Sequence, residues 1–335
     1  MNKKLKFYIT LITVTSLILI GMFVMLTPDK GHADSHPGDW EYEWPNTDFS
    51  RHEVAYTDII SGGPPKDGIP PIDDPQFISV EQSQKNSANT NALSDNEPVI
   101  GLIVNGMAKA YPLRILTWHE IINDKIGGVP VTITFCPLCN SSIVFDRRLD
   151  GKTLDFGTTG KLRNSDLVMY DRQTESWWQQ FMGKAIIGEM TGTELIMIPS
   201  RMESWANFRK RAPNGQVLIP NDTYMRNYGR NPYVGYDTAS MPFLYHGEMP
   251  EGINPMARVV AINDQAWALE LLQERESISN GDIIVSWSAG QNSALDTGTI
   301  SKGRDVGNIL VQRLAENGEM IDVVHDVTFA FVFHA

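Results

Sequence analysis

Residues 127–145 read GGVPVTITFCPLCNSSIVF and contain the chain's two cysteines, Cys136 and Cys139. Residues 129–135 are rich in β-branched side chains and follow two glycines, a pattern that predicts a buried strand. Pro137 ends this strand, and residues 141–145 again have the composition of a strand. The stretch therefore predicts a tight turn that presents two thiols between two strands.

Turn signals on either side extend this pattern. Asn105-Gly106 lies between two apolar runs and predicts a hairpin, and Asp150-Gly151 predicts another. Residues 113–123 predict a short amphipathic helix, whereas strand-like runs recur up to residue 333. We find no internal repeat in the sequence. These patterns predict a β-rich α+β fold, with mixed or antiparallel sheets and a few short helices in one continuous domain over residues 97–335.

The N-terminus has the features of a targeting segment. Lys3, Lys4 and Lys6 precede an uncharged apolar run at residues 7–26, which is long enough to span a bilayer. This pattern favours a retained membrane anchor within residues 1–33, although the spacing before Ala33 also suits cleavage of a signal peptide. Both alternatives predict a folded part outside the cytoplasm, either held at the cell membrane by one span or secreted or periplasmic after cleavage.

Residues 34–96 are rich in Pro, Gly and Asp and predict an extended arm ahead of the globular domain. We expect the isolated aromatics of this arm to hold it against the domain surface. The whole chain has 42% hydrophobic and 20% charged residues, which is typical of a folded protein. Its net charge of −12 argues against a nucleic-acid partner.

Two long strings give the chain a family resemblance. They are DNEPVIGLIVNGMAKAYPLRILTWHEIINDKIGGVPVTITFCPLCNSSIVFDR at residues 95–147 and LDFGTTGKLRNSDLVMYDRQTESWWQQF at residues 154–181. They resemble the bacterial and archaeal family known as domain of unknown function 3179 (DUF3179), from about Ser61 to the end of the chain. The resemblance implies a mostly extracytoplasmic protein and carries over no activity. Relatives usually have Gly where this chain has Asn140, and Asn tolerates the left-handed conformation that the turn requires.

The cysteine pair has three interpretations. In the first, Cys136 and Cys139 bind zinc or copper with two further ligands, for which His119 is the first candidate beside other histidines, a carboxylate, a methionine or a second protomer. In the second, the thiols serve a redox or transfer enzyme, assisted by His119, Arg163 and Asp166 on the flanking helix and loop. In the third, a structural disulfide closes the turn of a non-catalytic envelope module. The metal interpretation is the favoured one.

Other cofactors and partners are constrained more weakly. Asn140 stands where the axial His of a covalent haem site would follow the second cysteine, which argues against haem. The glycines at residues 157–160 fit neither the P-loop nor the dinucleotide fingerprint. The predicted partners are the membrane, through the N-terminal helix, and a small-molecule ligand or an envelope protein. The sequence predicts no oligomeric state.

Overall fold

Short strands make up most of the regular structure. The computed structural model describes residues 37–85 and 92–335. In chain order the strands are β1 (Ile59–Ser61), β2 (Gln76–Ser79), β3 (Pro98–Val104), β4 (Met107–Pro112), β5 (Ile121–Ile126), β6 (Val129–Cys136), β7 (Ser141–Asp146), β8 (Arg148–Leu149), β9 (Lys152–Thr153), β10 (Phe156–Arg163), β11 (Asp166–Asp171), β12 (Trp177–Gln179), β13 (Lys184–Ile187), β14 (Met197–Ile198), β15 (Arg201–Ser204), β16 (Gln216–Ile219), β17 (Arg258–Ile262), β18 (Gln265–Ala268), β19 (Ser277–Asn280), β20 (Ile283–Ser288), β21 (Asn308–Leu314), β22 (Met320–Asp322) and β23 (Asp326–Phe329). The α-helices are α1 (Gly38–Glu43), α2 (Val80–Lys85), α3 (Leu113–His119), α4 (Trp205–Arg211), α5 (Leu269–Arg275) and α6 (Ala330–His334).

The strands pair into five main sheets. Their strand orders are β1-β10-β11-β12-β13, β14-β7-β6-β5, β15-β3-β4-β16-β2, β18-β17-β23 and β19-β20-β21-β22. Antiparallel pairing dominates, and β4 and β16 pair in parallel. The fold is therefore β-rich α+β with mostly antiparallel sheets and few short helices, which confirms the predicted fold class.

Residues 37–335 belong to one compact unit. The predicted anchor or signal peptide at residues 1–33 lies outside the described residues, and so do residues 86–91 of the predicted arm. Within the part of the chain that the structure describes, no helix has the length and apolar character needed to cross a membrane.

The segment predicted as an arm contributes to the core of this unit. Trp40, Trp44 and Tyr56 are buried in one cluster with Trp177 of β12. β1 extends the sheet by pairing with β10. Large aromatic side chains bury much apolar surface, so these contacts fix the segment firmly against the sheet.

Side-chain alternation along β6 determines which face carries the cysteine. Val131, Ile133 and Phe135 are buried in one hydrophobic cluster. Cys136 belongs to a different cluster, which includes Phe145. Because successive residues of a strand point to opposite faces, the Cys136 side chain lies on the face of β6 opposite to that of Phe135.

One arrangement occurs twice, although the sequence shows no repeat. In the first unit, the hairpin of β3 and β4 is followed by α3 and then by the hairpin of β5 and β6. In the second unit, the hairpin of β17 and β18 is followed by α5 and then by the hairpin of β19 and β20. Each helix is followed by a glutamate with positive φ, Glu120 at 57° and Glu276 at 61°. Their carbonyl groups each accept a backbone hydrogen bond at 2.8 Å from the following hairpin, from Phe135 and Trp287 respectively. The positive φ at Glu120 is therefore a property of this repeated unit.

Two predicted elements have different ends. The helix predicted over residues 113–123 ends at His119, because Glu120 leaves the helical backbone conformation and residues 121–126 form β5. The strand predicted up to residue 333 ends at Phe329, and residues 330–334 form α6. β23 stops there because its partner β17 begins at Arg258, the residue opposite Phe329.

Candidate metal centre

The cysteine turn joins β6 to β7 and is held from β23. The Cys139 N–H donates to the Cys136 carbonyl at 3.2 Å, which closes the turn. Asn140 has a φ of 52°, as expected, and its side-chain amide donates to the Val327 carbonyl at 2.7 Å. The Thr328 hydroxyl donates to the Cys139 carbonyl at 2.8 Å. Contacts distant in sequence thus fix the position of both thiols.

The hairpin between β10 and β11 brings a carboxyl group to this turn. Asn164 and Ser165 have φ values of 53° and 65°, and a tight two-residue hairpin turn requires positive φ at both positions. Asp166 begins β11, and its Oδ1 lies 3.4 Å from the Cys139 Sγ. Its Oδ2 accepts a hydrogen bond from the Phe181 N–H at 2.9 Å. The carboxyl group is therefore oriented from two sides.

Cys136, Cys139 and Asp166 together form a possible ligand set. One ligand atom from each lies within 4.8 Å of the others. Both cysteines are free and buried, with their Sγ atoms 2.9 Å apart, so the predicted disulfide alternative is not formed in this structure. Two sulfurs and one carboxylate oxygen are ligands that zinc accepts. The arrangement can therefore bind a metal ion.

The surroundings of Cys136, Cys139 and Asp166 favour the protonated form of each side chain. Burial raises the pKa of the Cys136 thiol, and the neighbouring carboxyls Asp166 and Glu120 raise it further. Burial also raises the pKa of the Cys139 thiol well above its ordinary value, and Cys136 adds to this shift. Burial raises the pKa of Asp166 to about 7. A bound cation would reverse these preferences, because it stabilises the ionised form of each ligand.

The structure does not bring His119 or Arg163 to this group. The His119 Nδ1 lies 2.7 Å from the Pro70 carbonyl oxygen, and its Nε2 lies 2.8 Å from the Tyr228 hydroxyl. Since a carbonyl only accepts, Nδ1 carries the hydrogen and Nε2 accepts from the tyrosine. Arg163 donates to the Gln179 side chain at 2.8 Å. Of the three predicted neighbours of the cysteines, only Asp166 contacts them.

A cavity of about 580 Å³ lies beside Cys136, and we call it the Cys136 cavity. Cys136, Glu120 and the tyrosines Tyr233 and Tyr236 contribute to its wall, together with apolar residues such as Phe243. Burial raises the pKa of Glu120 to about 8. The Cys136 cavity therefore places a thiol and a carboxyl group at one space large enough for a small molecule.

Sequence reasoning missed the importance of Glu120, Tyr233 and Tyr236. Adjacent residues of a helix point to different faces, so the prediction of His119 as a ligand does not extend to Glu120. The two tyrosines lie in residues 221–255, whose many Tyr, Asn, Gly and Pro residues are typical of an irregular surface connection. The available signal was its length, because long loops without regular structure in compact domains are often functional.

The comparisons with known proteins agree with the resemblance. A family model described as "Protein of unknown function (DUF3179)" matches residues 66–335. No curated protein and no solved structure matches the chain.

Proposed function

We infer that the chain, which belongs to the DUF3179 family, binds one zinc ion through Cys136, Cys139 and Asp166. The observation that carries this proposal is the convergence of three buried ligand atoms within 4.8 Å of one another. Burial disfavours the thiolate form of Cys136, and the carboxyl groups of Asp166 and Glu120 nearby disfavour it further. A divalent cation would compensate the ligand charges, and its binding would release the protons that the ligands carry.

The ligand set favours zinc over copper. Copper(I) prefers soft sulfur ligands, whereas zinc accepts thiolates and carboxylates together. With Zn–S bonds of about 2.3 Å, tetrahedral ligation separates two sulfurs by about 3.8 Å. The Sγ atoms of Cys136 and Cys139 are 2.9 Å apart, so the turn has to open by about one ångström on binding.

The proposed site has an open fourth position. Zinc sites with three protein ligands keep a position for water or substrate, whereas structural sites use four protein ligands. Cys136 lines the Cys136 cavity, so that position is accessible to a small molecule from the cavity. This supports a chemically active zinc site over a purely structural one.

A metal-free thiol enzyme is the weaker candidate. Its nucleophile has to be a thiolate, but burial raises the pKa of both thiols. The turn is followed by β7, whereas the redox motif of thioredoxin-like proteins precedes a helix whose N-terminus stabilises the thiolate.

We further propose that the folded part works outside the cytoplasm, at the cell membrane or released from it. The three N-terminal lysines and the apolar run at residues 7–26 support this location. Fractionation of the native cells and N-terminal sequencing test it. A membrane-bound protein with residues 1–33 retained indicates an anchor, a soluble envelope protein that begins at Asp34 indicates cleavage, and a cytosolic protein contradicts the proposal.

Metal analysis tests the zinc site. Protein purified without chelator should contain about one zinc per chain, and Cys136→Ser, Cys139→Ser and Asp166→Asn should each reduce the content several-fold. The matched control is Asp326→Asn, because Asp326 is also buried with its pKa raised to about 7 but lies outside the group. Stoichiometric copper would correct the metal identity. Absence of any metal in folded protein, even after zinc is added, would refute the proposal.

A further inference from the structure

The polar groups of the Cys136 cavity are few. Its wall is mainly apolar, with Leu162, Leu167 and Phe243 among its residues. Among the described residues of the wall, Lys161 is the basic one, and its Nζ is paired with the Glu43 carboxylate at 2.9 Å. The cavity therefore offers an apolar surface and no free cation for an anionic ligand.

Among the described residues, the Glu120 carboxyl group and the Tyr233 hydroxyl are the polar groups of this wall that lack a close partner. Glu120 is 7% exposed. Within the described part of the chain, its carboxyl group has one hydrogen-bonding neighbour, the Tyr233 hydroxyl, at 3.5 Å from Oε1. That distance is at the limit of a hydrogen bond, and a buried carboxyl group can form several. Glu120 therefore has unused hydrogen-bonding capacity directed at the cavity that it lines.

The repeated unit provides an internal comparison. Glu276 has almost the same backbone conformation as Glu120, with φ 61° and ψ −35° against φ 57° and ψ −35°. Glu276 is exposed to solvent, whereas Glu120 is buried. The fold therefore accounts for the conformation of Glu120 but does not require a buried carboxyl group at this position.

We propose that the Cys136 cavity binds a small neutral molecule with an apolar body and a carbonyl or hydroxyl oxygen, which Glu120 holds by a hydrogen bond. The apolar wall contacts the body of the ligand, and the paired state of Lys161 disfavours a carboxylate or phosphate ligand. The inference deepens the proposed function, since it names the substrate class of the zinc site. Binding by Glu120 itself does not need the metal.

Matched aromatic probes test this proposal. Binding of benzamide, benzene and benzoate to the full-length protein is measured by ligand-observed NMR near neutral pH, with and without zinc, and zinc content is measured on the same samples. The metal-free protein should bind benzamide more tightly than benzoate. Glu120→Met should weaken benzamide binding about 5- to 10-fold, as expected for one lost hydrogen bond, and change benzene binding less than about twofold.

Two further variants keep the test decisive. Glu276→Met, the control at the equivalent position, should bind all probes like the wild type. Glu120→Gln should retain benzamide binding within about threefold, because an amide both donates and accepts hydrogen bonds. Equal benzamide affinity in wild type and Glu120→Met, or tighter binding of benzoate than of benzamide, would overturn the proposal. Wild-type protein that contains no zinc, even after zinc is added, but binds benzamide as expected would support the cavity proposal and refute only the zinc site.

Discussion

Three buried carboxyl groups are expected to contribute less to the free energy of unfolding of the metal-free protein as the pH rises from about 5 to about 8. Burial raises the pKa of Asp166 and Asp326 to about 7 and that of Glu120 to about 8. In the unfolded chain these groups ionise near pH 4. Between these values the folded protein holds protons that the unfolded chain has lost, so raising the pH favours unfolding.

The size of the effect follows from proton counting. One group that is protonated only in the folded state changes the unfolding free energy by about 1.4 kcal/mol per pH unit. Between about pH 5 and pH 6.5, one such group accounts for about 2 kcal/mol and three account for about 6 kcal/mol. His119 and His325 offset part of this change, because burial lowers the pKa of both imidazoles and the unfolded chain therefore holds their protons to higher pH. Domains of this kind are stable by about 5–15 kcal/mol, so the change is large enough to measure.

Urea denaturation followed by tryptophan fluorescence, in the presence of a chelator, measures this dependence. Glu120→Gln is uncharged at every pH and should remove about 1.4 kcal/mol per pH unit of the fall in stability, whereas Glu276→Gln at the exposed equivalent position should leave the slope unchanged. Added zinc should stabilise the protein more at high pH, because it binds the ionised ligands. The same slope between pH 5 and 6.5 in wild type and Glu120→Gln, both metal-free, would refute the reasoning.

Three further outcomes are expected from urea denaturation. Asn140→Gly should lower the free energy of unfolding by about 1–3 kcal/mol, because it removes the hydrogen bond to the Val327 carbonyl. Asn140→Ala should lower it by about 1 kcal/mol more, because alanine is strained in the left-handed backbone conformation of this position. Equal losses in the two variants would contradict this. Gly160→Ala should destabilise far more than Gly151→Ala, because an added Cβ would meet a backbone oxygen at 1.9 Å at the first position and nothing within 4 Å at the second. His119→Gln should cost about 1–3 kcal/mol with zinc content unchanged, and loss of zinc would show that His119 is a ligand after all.

The strands around the cysteines could be predicted because local patterns determine them. Asn105-Gly106 and Gly127-Gly128 provide the positive φ angles of the two hairpin turns, and the alternation between them sets the register. The end of α3 could not be predicted in the same way. Glu120 adopts a positive φ that glycine or asparagine usually occupies at helix ends, so its residue type gave no signal.

The composition of the site depends on contacts between distant segments. Asp166 reaches Cys139 across 27 residues, and His119 is engaged by groups 49 and 109 residues away. A single sequence contains no direct signal for such pairings. The cysteine spacing predicted where the candidate ligand group lies, whereas of the three neighbours predicted for it only Asp166 contacts the cysteines.

Zinc K-edge X-ray absorption spectroscopy of the purified protein tests the central claim most directly. The account predicts two sulfur neighbours at about 2.3 Å and oxygen neighbours at about 2.0–2.2 Å, with the sulfur signal lost in the Cys136→Ser/Cys139→Ser variant. Zinc surrounded by nitrogen and oxygen alone, or a spectrum that the double substitution leaves unchanged, would contradict it.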